Sequence, residues 1–247
     1  DFDYILHQAA ISDTRADNHK LVIQTNVNAF GDILGIAVDC GAKVIYASSA
    51  ATYGGALPPQ RLGREAPDNV YGYSKQAMDD LAKCWCDRND SLQTIGLRYF
   101  NVYGPGEFYK GKTASMVLQL GLQILDGREP RLFEGSDRIL RDFVYIDDVV
   151  AANLNAMGYS NSGVFNVGYG CSRSFKDIAD ILLKEMSVTL PIDYFPNPFT
   201  GYQMHTEADI SASKEELGYV PAVSLEQGIA EYVPAIRDIY SRYGYSG

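Results

Sequence analysis

Three short segments near the N-terminus, at residues 4–6, 43–47 and 93–99, are predominantly apolar and do not alternate between apolar and polar positions. Such runs are typical of strands buried on both faces, as in parallel sheets. The segments between them, at about 18–40 and 73–87, keep their apolar residues at helical spacing. Because parallel strands need crossover connections, this order predicts an α/β fold with a parallel sheet and right-handed crossovers.

Loops rich in small and polar residues follow each of these strands. They lie at residues 7–12, 48–53 and 100–104. Parallel α/β sheets bind their ligands beyond the carboxyl ends of the strands, which meet at one edge. We therefore expect the functional site at the edge that these three loops share.

The pattern changes after Gly104, where strands become shorter and helices more frequent. Ser174 and Asp177 form an approximate capping box at the start of one helix. No internal repeat or low-complexity linker separates the two parts, so a second domain has to be interleaved with the first. The predicted elements are strands at 131–133, 143–145 and 163–167 and helices at about 113–125, 147–157, 174–186, 213–217 and 225–243.

The composition excludes several classes of protein. With 46% hydrophobic and 21% charged residues, the chain has an ordinary globular composition. Its formal net charge of −10 disfavours nucleic acids and anionic membranes as partners. We expect no transmembrane helix, since no apolar run approaches about 20 residues, and no secretory signal, since the N-terminus is acidic.

The four cysteines and three histidines are scattered. Cys84 and Cys86 lie close together, but their spacing fits neither a zinc ribbon nor a CxxC redox pair. We expect free thiols in a reducing compartment, a cytoplasmic protein and no bound metal.

Tyr71 and Lys75 are the strongest local indication of chemistry, because residues four apart share one face of a helix. A nearby ammonium favours the phenolate and lowers the pKa of a tyrosine, which is about 10 in water. We expect this pair to act as a base in a dry pocket, although an ordinary surface pair has the same spacing. Tyr73 offers no such alternative, since Ala77 lies four residues after it.

Ser49 follows the second predicted strand, where its hydroxyl can hydrogen-bond a substrate oxygen. Serine, tyrosine and lysine at these positions resemble the extended short-chain dehydrogenases/reductases that modify nucleotide sugars. Segments 7–10 (HQAA), 26–28 (NVN) and 98–105 (RYFNVYGP) match further landmarks of that family. The resemblance implies a Rossmann-like, doubly wound parallel sheet with a smaller, interleaved α/β substrate domain.

Four further segments narrow the resemblance to the ADP-glycero-manno-heptose 6-epimerases. They are 47–55 (ASSAATYGG), 69–75 (NVYGYSK), 133–136 (FEGS) and 141–145 (RDFVY). The resemblance covers essentially the whole chain. It implies a dinucleotide-binding domain formed by 1–104 and 143–170 and a substrate domain formed by 105–142 and 171–247.

The resemblance implies four catalytic residues. Tyr71 is the base, Lys75 holds the cofactor ribose and tunes Tyr71, and Ser49 hydrogen-bonds the reacting oxygen. Lys110 is a second acid/base that works on the side away from Tyr71; the alternative is a solvated loop lysine. The residues implied at the cofactor are Gln8, Ala9, Ala10, Ser12, Asn26, Tyr71, Lys75 and Val102.

The implied substrate contacts include Arg141, whose planar fork of donors suits a pyrophosphate. An ion pair with Asp142 is the alternative for this residue, and simple packing is the alternative for Tyr202. Lys112 and Gln119 depart from the serine and histidine that the family has at these positions. The full set is Ser49, Asn101, Lys112, Gln119, Phe133, Glu134, Gly135, Ser136, Arg141 and Tyr202.

The Gly-rich phosphate-binding loop of a dinucleotide fold, with the acidic or basic residue on its second strand, does not occur in the sequence. We expect the first strand, helix and strand of the fold to precede Asp1, so that the sheet is N-terminally incomplete. A chain that begins at Asp1 lacks the helix N-terminus that holds a pyrophosphate. An inactive, cofactor-free fragment is therefore one alternative for function.

The resemblance implies epimerisation at C6 of an ADP-activated heptose, for lipopolysaccharide core biosynthesis. The reaction is a transient oxidation and reduction by bound NADP, with NAD as the other cofactor to consider. A homo-oligomer is also implied. Another nucleotide-sugar enzyme, such as a UDP-sugar 4-epimerase, is the main alternative. A 4,6-dehydratase is disfavoured because Ser49 is followed by Ala50 and Ala51, not by an Asp-Glu pair.

Overall fold

A computed structural model describes residues 2–197 and 203–244 of the chain. The chain divides into two compact units. In four places their boundaries differ from the expected domains: residues 101–104, 143–148 and 168–170 belong to the second unit, and residues 208–220 belong to the first. The first unit comprises Asp1–Phe100, Val149–Val167 and Ala208–Val220, and the second comprises Asn101–Asp148, Gly168–Glu207 and Pro221–Gly247.

The first unit is built on a four-stranded parallel sheet with the strand order β1-β2-β3-β7. Its register pairs Leu6 with Ile45, and Ala47 with Leu97. The predicted α/β fold with a parallel sheet is thus confirmed. The strands are β1 (Tyr4–His7), β2 (Lys43–Ser49), β3 (Thr94–Tyr99) and β7 (Gly163–Val167).

Helices cover this sheet, and most of them lie where the apolar spacing predicts them. A short 3-10 helix, Ala50–Tyr53, occupies part of the segment that the sequence predicted as loop. Helix α5 (Ile146–Gly158) starts in the second unit and ends in the first. The other helices of the first unit are α1 (His19–Ile23), a π-helical turn (Gln24–Asn28), α2 (Ala29–Cys40), α3 (Val70–Cys86) and α7 (Ser211–Leu217).

The continuous helical segment His19–Cys40 is long and apolar enough, by length and composition, to cross a membrane. It begins where Asn18 accepts a hydrogen bond from the backbone of Leu21 and ends at Gly41, which has a left-handed φ of 71°. Phe30 is fully buried in an apolar cluster that includes residues of β2 and α3. One face of the segment therefore packs into the apolar cluster of the first unit, while Leu21 and Ile36 are exposed.

The second unit contains two small sheets, and three of its strands were not predicted. Strands β4, β8 and β9 have three residues each, as does β5, which was predicted; strands of this length show no reliable apolar period. Helices α4, α6 and α8 enclose an apolar core. The elements are β4 (Asn101–Tyr103), β6 (Leu140–Tyr145) and β8 (Ser172–Ser174) in one sheet, β5 (Arg131–Phe133) and β9 (Asp193–Phe195) in the other, a 3-10 helix (Phe108–Thr113), and helices α4 (Met116–Leu125), α6 (Phe175–Met186) and α8 (Leu225–Tyr243).

The predicted capping box at the start of α6 is confirmed. The hydroxyl of Ser174 accepts a hydrogen bond from the backbone N–H of Asp177 at 3.0 Å. The carboxylate of Asp177 accepts one from the backbone N–H of Ser174 at 2.9 Å. Two backbone donors of the first turn are thus satisfied by side chains.

We expect Ser174→Ala to lower the free energy of unfolding by about 1 kcal/mol, because it removes one cap acceptor and leaves a backbone N–H without it. Urea denaturation followed by circular dichroism measures the change. Ser91→Ala, at an exposed loop position, is the control. Equal stability of the two variants would contradict a capping role.

Candidate active site

Tyr71 and Lys75 lie in the first two turns of α3. Asn69 caps this helix by accepting a hydrogen bond from the backbone N–H of Gly72 at 2.9 Å. The Lys75 Nζ atom lies 5.9 Å from the centre of the Tyr71 ring. Lys75 is only 2% exposed and donates a hydrogen bond to the carbonyl of Ala47 at 2.7 Å. Lys75 is therefore buried and Tyr71 is half-buried, so the pair is not a solvated pair on the surface.

Ser49 stands beside this pair at the end of β2. Its hydroxyl accepts a hydrogen bond from the backbone N–H of Ala51 at 3.1 Å and lies close enough to the Tyr71 hydroxyl to lower the pKa of that tyrosine. Gly72 makes this approach possible, because a Cβ atom at this position would lie 2.4 Å from the carbonyl oxygen of Ala51. The structure thus brings together the three residues Ser49, Tyr71 and Lys75.

We expect Gly72→Ala to lower the free energy of unfolding by about 1–3 kcal/mol, because the backbone of α3 has to move away from the loop at Ala51. The same movement carries Tyr71 away from Ser49 and lowers turnover. Thermal unfolding and a turnover assay measure the two effects. Gly55→Ala is the control, since a Cβ atom at Gly55 meets no other atom within 4 Å. Equal stability and equal turnover of the two variants would show that the close approach of Gly72 to the carbonyl of Ala51 has no effect.

The protonation states differ in part from the expectation. Burial lowers the pKa of Lys75 to about 8, and the charge of Asp79 opposes this shift. Burial raises the pKa of Tyr71, and the hydrogen bond with Ser49 only partly offsets that shift. The expected lowering of the Tyr71 pKa by Lys75 was wrong for the protein alone, because removal of the ring from water outweighs a lysine that is hydrogen-bonded to Ala47.

Asn26 holds the loop that follows β1. It lies in the π-helical turn and is fully buried. Its amide exchanges hydrogen bonds with the backbone of Ile11, at 2.8 and 3.0 Å, and donates to the Ser74 hydroxyl at 3.0 Å. Ser74 in turn donates to the carbonyl of Tyr71 at 2.7 Å. Asn26 would therefore act on a cofactor through the loop that it positions.

Gln8, another predicted cofactor residue, belongs to a closed triangle of side chains. Its amide accepts a hydrogen bond from the Tyr99 hydroxyl at 2.9 Å and donates one to Asn153 at 3.1 Å. Asn153 completes the triangle by donating to the Tyr99 hydroxyl at 2.9 Å. The exposed Ala9 and Ser12 and the half-buried Ala10 lie in the same loop, at the carboxyl edge where the cofactor is expected.

In the second unit, Val102 and Lys110 line one cavity of about 180 Å³. Val102 lies in β4, and Lys110 lies in the 3-10 helix Phe108–Thr113. Gly104, Glu107 and residues near them complete the wall. A residue predicted at the cofactor and a predicted acid/base thus share this cavity. Asn101, at the start of β4, is exposed.

Lys112 and Gln119, the two departures from the family pattern, lie at the junction of the 3-10 helix and α4. The Gln119 side chain donates a hydrogen bond to the carbonyl of Ala114 at 2.6 Å. Its amide therefore holds the junction together. Lys112 is exposed. The role of both residues toward a substrate stays a prediction.

The segment 133–136 forms a turn after β5. The backbone N–H of Ser136 donates to the carbonyl of Phe133 at 3.0 Å, and Gly135 has a left-handed φ of 77°. The ring of Phe133 packs edge-on against Phe195, and Glu134 is exposed. The Ser136 hydroxyl is buried and has no hydrogen-bond partner among residues 2–197 and 203–244. Contact of the segment with a substrate stays a prediction.

Arg141 is 7% exposed and lies over the ring of Phe175, 5.7 Å from its centre. Its guanidinium donates hydrogen bonds to the carbonyls of Leu140 and Gln203. The neighbouring Asp142 accepts hydrogen bonds from the backbone N–H groups of residues 169 and 170. Contact of Arg141 with a substrate phosphate stays a prediction. Tyr202 lies outside the described residues.

Sequence reasoning missed a buried ionic network next to Lys75. Asp79 and Arg98 are 6% and 4% exposed and form a salt bridge of 2.8 Å. Asp79 lies four residues after Lys75 on α3, and Arg98 lies within an otherwise apolar strand. Both positions are unusual for charged residues, and this was the signal that could have found them. Among the described residues, no group of three or more His, Cys, Asp or Glu side chains is arranged to hold a metal ion.

Comparison with known families adds the deciding observation. The NAD dependent epimerase/dehydratase family matches residues 1–168, which is more than half of the chain. The chain belongs to this family. The predicted class of enzyme, an NAD(P)-dependent nucleotide-sugar epimerase, is thereby confirmed, as is the Rossmann-like fold.

Solved structures of this epimerase family resemble the chain closely. The Helicobacter pylori ADP-L-glycero-D-manno-heptose-6-epimerase is 48% identical, with a TM-score of 0.89, over 96% of this chain and 73% of that one. The Thermotoga maritima UDP-glucose 4-epimerase is 29% identical, with a TM-score of 0.89, over 96% and 78%. A Bacillus cereus UDP-glucuronic acid 4-epimerase in complex with NAD is 26% identical, with a TM-score of 0.82, over 97% and 76%.

The residues of the first unit fit the cofactor of this epimerase family. An ammonium carries three donors, and Lys75 uses one of them on Ala47. The other donors, with the Tyr71 hydroxyl, suit the hydroxyl groups of a ribose. Ala9 and Ala10, which follow β1, have small side chains. The donors of Lys75 and Tyr71 therefore fit the ribose part of the cofactor.

Proposed function

We propose that the protein inverts the configuration at C6 of the heptose in ADP-glycero-manno-heptose, for lipopolysaccharide core biosynthesis, with bound NADP or else NAD. The 48% identity with the Helicobacter pylori enzyme over 96% of the chain is the observation that carries this proposal. The arrangement of Ser49, Tyr71 and Lys75 supports it, because the chemistry needs a base, an oxygen-binding donor and a nearby cation.

The first half of the proposed reaction removes the proton of the C6 hydroxyl. Tyr71 accepts this proton, and Ser49 donates a hydrogen bond to the same oxygen. Lys75 keeps positive charge beside the phenolate and holds the ribose. The nicotinamide, when bound, supplies the acceptor and donor of the hydride. Because C6 carries a secondary hydroxyl group, the sugar passes through a ketone and regains its hydroxyl in the inverted configuration.

Lys110 is proposed as the acid/base for the inverted configuration. Its place in the 180 Å³ cavity with Val102 supports this role. The substrate would be held by the residues predicted for it in the second unit, where Arg141 suits the pyrophosphate as a fork of donors. Since hydride leaves and returns to the same carbon, the reaction consumes no free coenzyme.

A turnover assay distinguishes the proposed substrate from the main alternative. The purified protein is incubated with NADP and, in parallel, with ADP-D-glycero-D-manno-heptose or UDP-glucose, and the epimers are separated by chromatography. We expect inversion of the ADP-heptose only. The 29% identity with the Thermotoga maritima enzyme favours a UDP-sugar 4-epimerase as second candidate. Turnover of UDP-glucose alone would establish that candidate instead.

A titration with NADP tests whether the chain is a cofactor-free fragment. Quenching of the fluorescence of Trp85, the only tryptophan, reports binding. We expect saturable binding with a stoichiometry of about one per chain. If neither NADP nor NAD bound, the fragment alternative would replace the proposed enzyme.

We further infer a cytoplasmic homo-oligomer that binds neither nucleic acid nor membrane. The net charge of −10 disfavours nucleic acids and anionic membrane surfaces as partners. The exposed apolar residues Leu21 and Ile36 on the helical segment His19–Cys40 support contact with a second copy. Sedimentation of the purified protein measures the oligomeric state, and a monomer at all concentrations would contradict this inference.

A further inference from the structure

Lys75 is a buried cation whose charge depends on its surroundings. Its Nζ atom donates to the carbonyl of Ala47, which is neutral. Transfer of an ammonium from water into a protein interior is unfavourable unless a negative charge compensates it. Burial lowers the pKa of Lys75 to about 8, and the charge that opposes this shift is that of Asp79. Lys75 is thus only moderately protected against loss of its proton near neutral pH.

Asp79 lies one helical turn after Lys75, yet its carboxylate is fixed by other residues. It accepts hydrogen bonds from the hydroxyls of Tyr46 and Ser48, at 3.0 Å each. It also accepts two from the guanidinium of Arg98, at 2.8 and 3.0 Å. These four hydrogen bonds come from β2 and β3. They hold the carboxylate at one position next to α3.

The packing around this network shows that the position of Asp79 is closely determined. A Cβ atom on Gly96 would lie 2.5 Å from the Tyr46 hydroxyl oxygen, so the glycine leaves room for the Tyr46 ring to pass. Arg98 also forms an ion pair with Glu65 and lies 4.9 Å from the centre of the Tyr53 ring. Burial raises the pKa of Asp79, while Arg98 opposes that shift. Arg98 therefore helps to keep the carboxylate ionised.

We propose that Asp79 is a positioning residue that keeps the Lys75 ammonium charged beside Tyr71 without touching it. The inference rests on the proposed function, which needs that charge at the reacting hydroxyl. The ion pair of Asp79 and Arg98 thereby affects the charge of Lys75 as well as the stability of the fold. An alternative is that Asp79 and Arg98 only hold β2, β3 and α3 together.

The other titratable groups near this pair do not compensate for the loss of Asp79. Burial and then the charge of Lys75 lower the pKa of His7, so it is neutral where Lys75 titrates. Glu65 is bound to Arg98 and is less buried than Asp79. The groups that surround Lys75 and Asp79 are His7 from β1, Tyr46 from β2, Tyr71 from α3, Arg98 from β3, and Tyr53 and Glu65 from the segment after β2.

The test compares Asp79→Asn with Asp80→Asn, which removes the exposed neighbouring carboxylate. Nuclear magnetic resonance of ¹⁵N-labelled lysine gives the Lys75 pKa, and a pH series of kcat gives the alkaline limb. Lys75 is charged below its pKa, so a lower pKa moves the loss of activity to lower pH. We expect the Lys75 pKa, and the apparent pKa of the alkaline limb of kcat, each to fall by about one unit or more in Asp79→Asn. We expect no change in Asp80→Asn and recovery in Asp79→Glu.

A folded Asp79→Asn variant with unchanged Lys75 pKa and unchanged alkaline limb would overturn the proposal and leave the structural alternative. Because Asp79→Asn leaves Arg98 buried without its partner, the double variant Asp79→Asn, Arg98→Gln is measured as well, and we expect the same direction of change. The Lys75 pKa is read without substrate. It therefore tests the proposal even if ADP-heptose proves not to be the substrate.

Discussion

Tyr71→Phe is expected to lower kcat for epimerisation by about 10²–10⁴-fold, the usual contribution of a general acid/base. The substitution removes the hydroxyl that accepts the substrate proton and keeps the ring that Lys75 lies over, 5.9 Å from its centre. Affinity for NADP should change little, because Lys75 and the loop after β1 remain in place. A turnover assay and a cofactor titration on the same preparation separate the two effects.

Tyr73→Phe is the matched control for this experiment. Tyr73 lies on the same helix, two residues after Tyr71, and is 61% exposed. We expect its variant to keep the activity of the parent protein. If Tyr71→Phe also stayed within about twofold of the parent, another group would have to take the proton.

The pH dependence of the parent protein gives a second check on Tyr71. Burial raises the pKa of this tyrosine in the protein alone, so its base form is disfavoured until positive charge is added to the site. We expect the acidic limb of kcat, measured with cofactor and substrate bound, to lie well below the pH at which Tyr71 titrates in the protein alone. Ultraviolet difference spectra of phenolate formation, with Tyr71→Phe as reference, provide that comparison.

The parallel sheet of the first unit was predictable because three apolar runs marked three of its strands. The expectation that all three are buried on both faces was wrong for β1, which is partly exposed because it lies at the edge of the described sheet. Helix α3 was predictable for a related reason, since its apolar residues recur at helical spacing. Of the four described strands with three residues, β5 was predicted and β4, β8 and β9 were not, because so few residues show no reliable period. The π-helical turn Gln24–Asn28 was not predicted either. It lies within an unbroken helical pattern and differs from it only in backbone hydrogen bonding.

The candidate site was predictable as a set of residue types but not as a set of charges. Spacing placed Tyr71 and Lys75 on one helix face, and strand order placed Ser49 at the same edge. The extent of their burial depends on packing between distant segments, so the direction of the Tyr71 pKa shift could not be read from spacing. Asp79 and Arg98 meet only because α3 and β3 pack together, which the sequence leaves open.

Lys110→Ala is expected to slow epimerisation by about 10²-fold or more, because the inverted configuration loses its acid/base. The oxidation step in which Tyr71 accepts the proton of the C6 hydroxyl should continue. The near-ultraviolet absorbance of reduced nicotinamide, followed over a single turnover, should therefore still rise in the variant. Lys112→Ala, on the same 3-10 helix, is the comparison variant, and we expect it to raise KM more than it lowers kcat. Unchanged epimerisation in Lys110→Ala would make Lys110 a loop residue and leave the second acid/base unassigned.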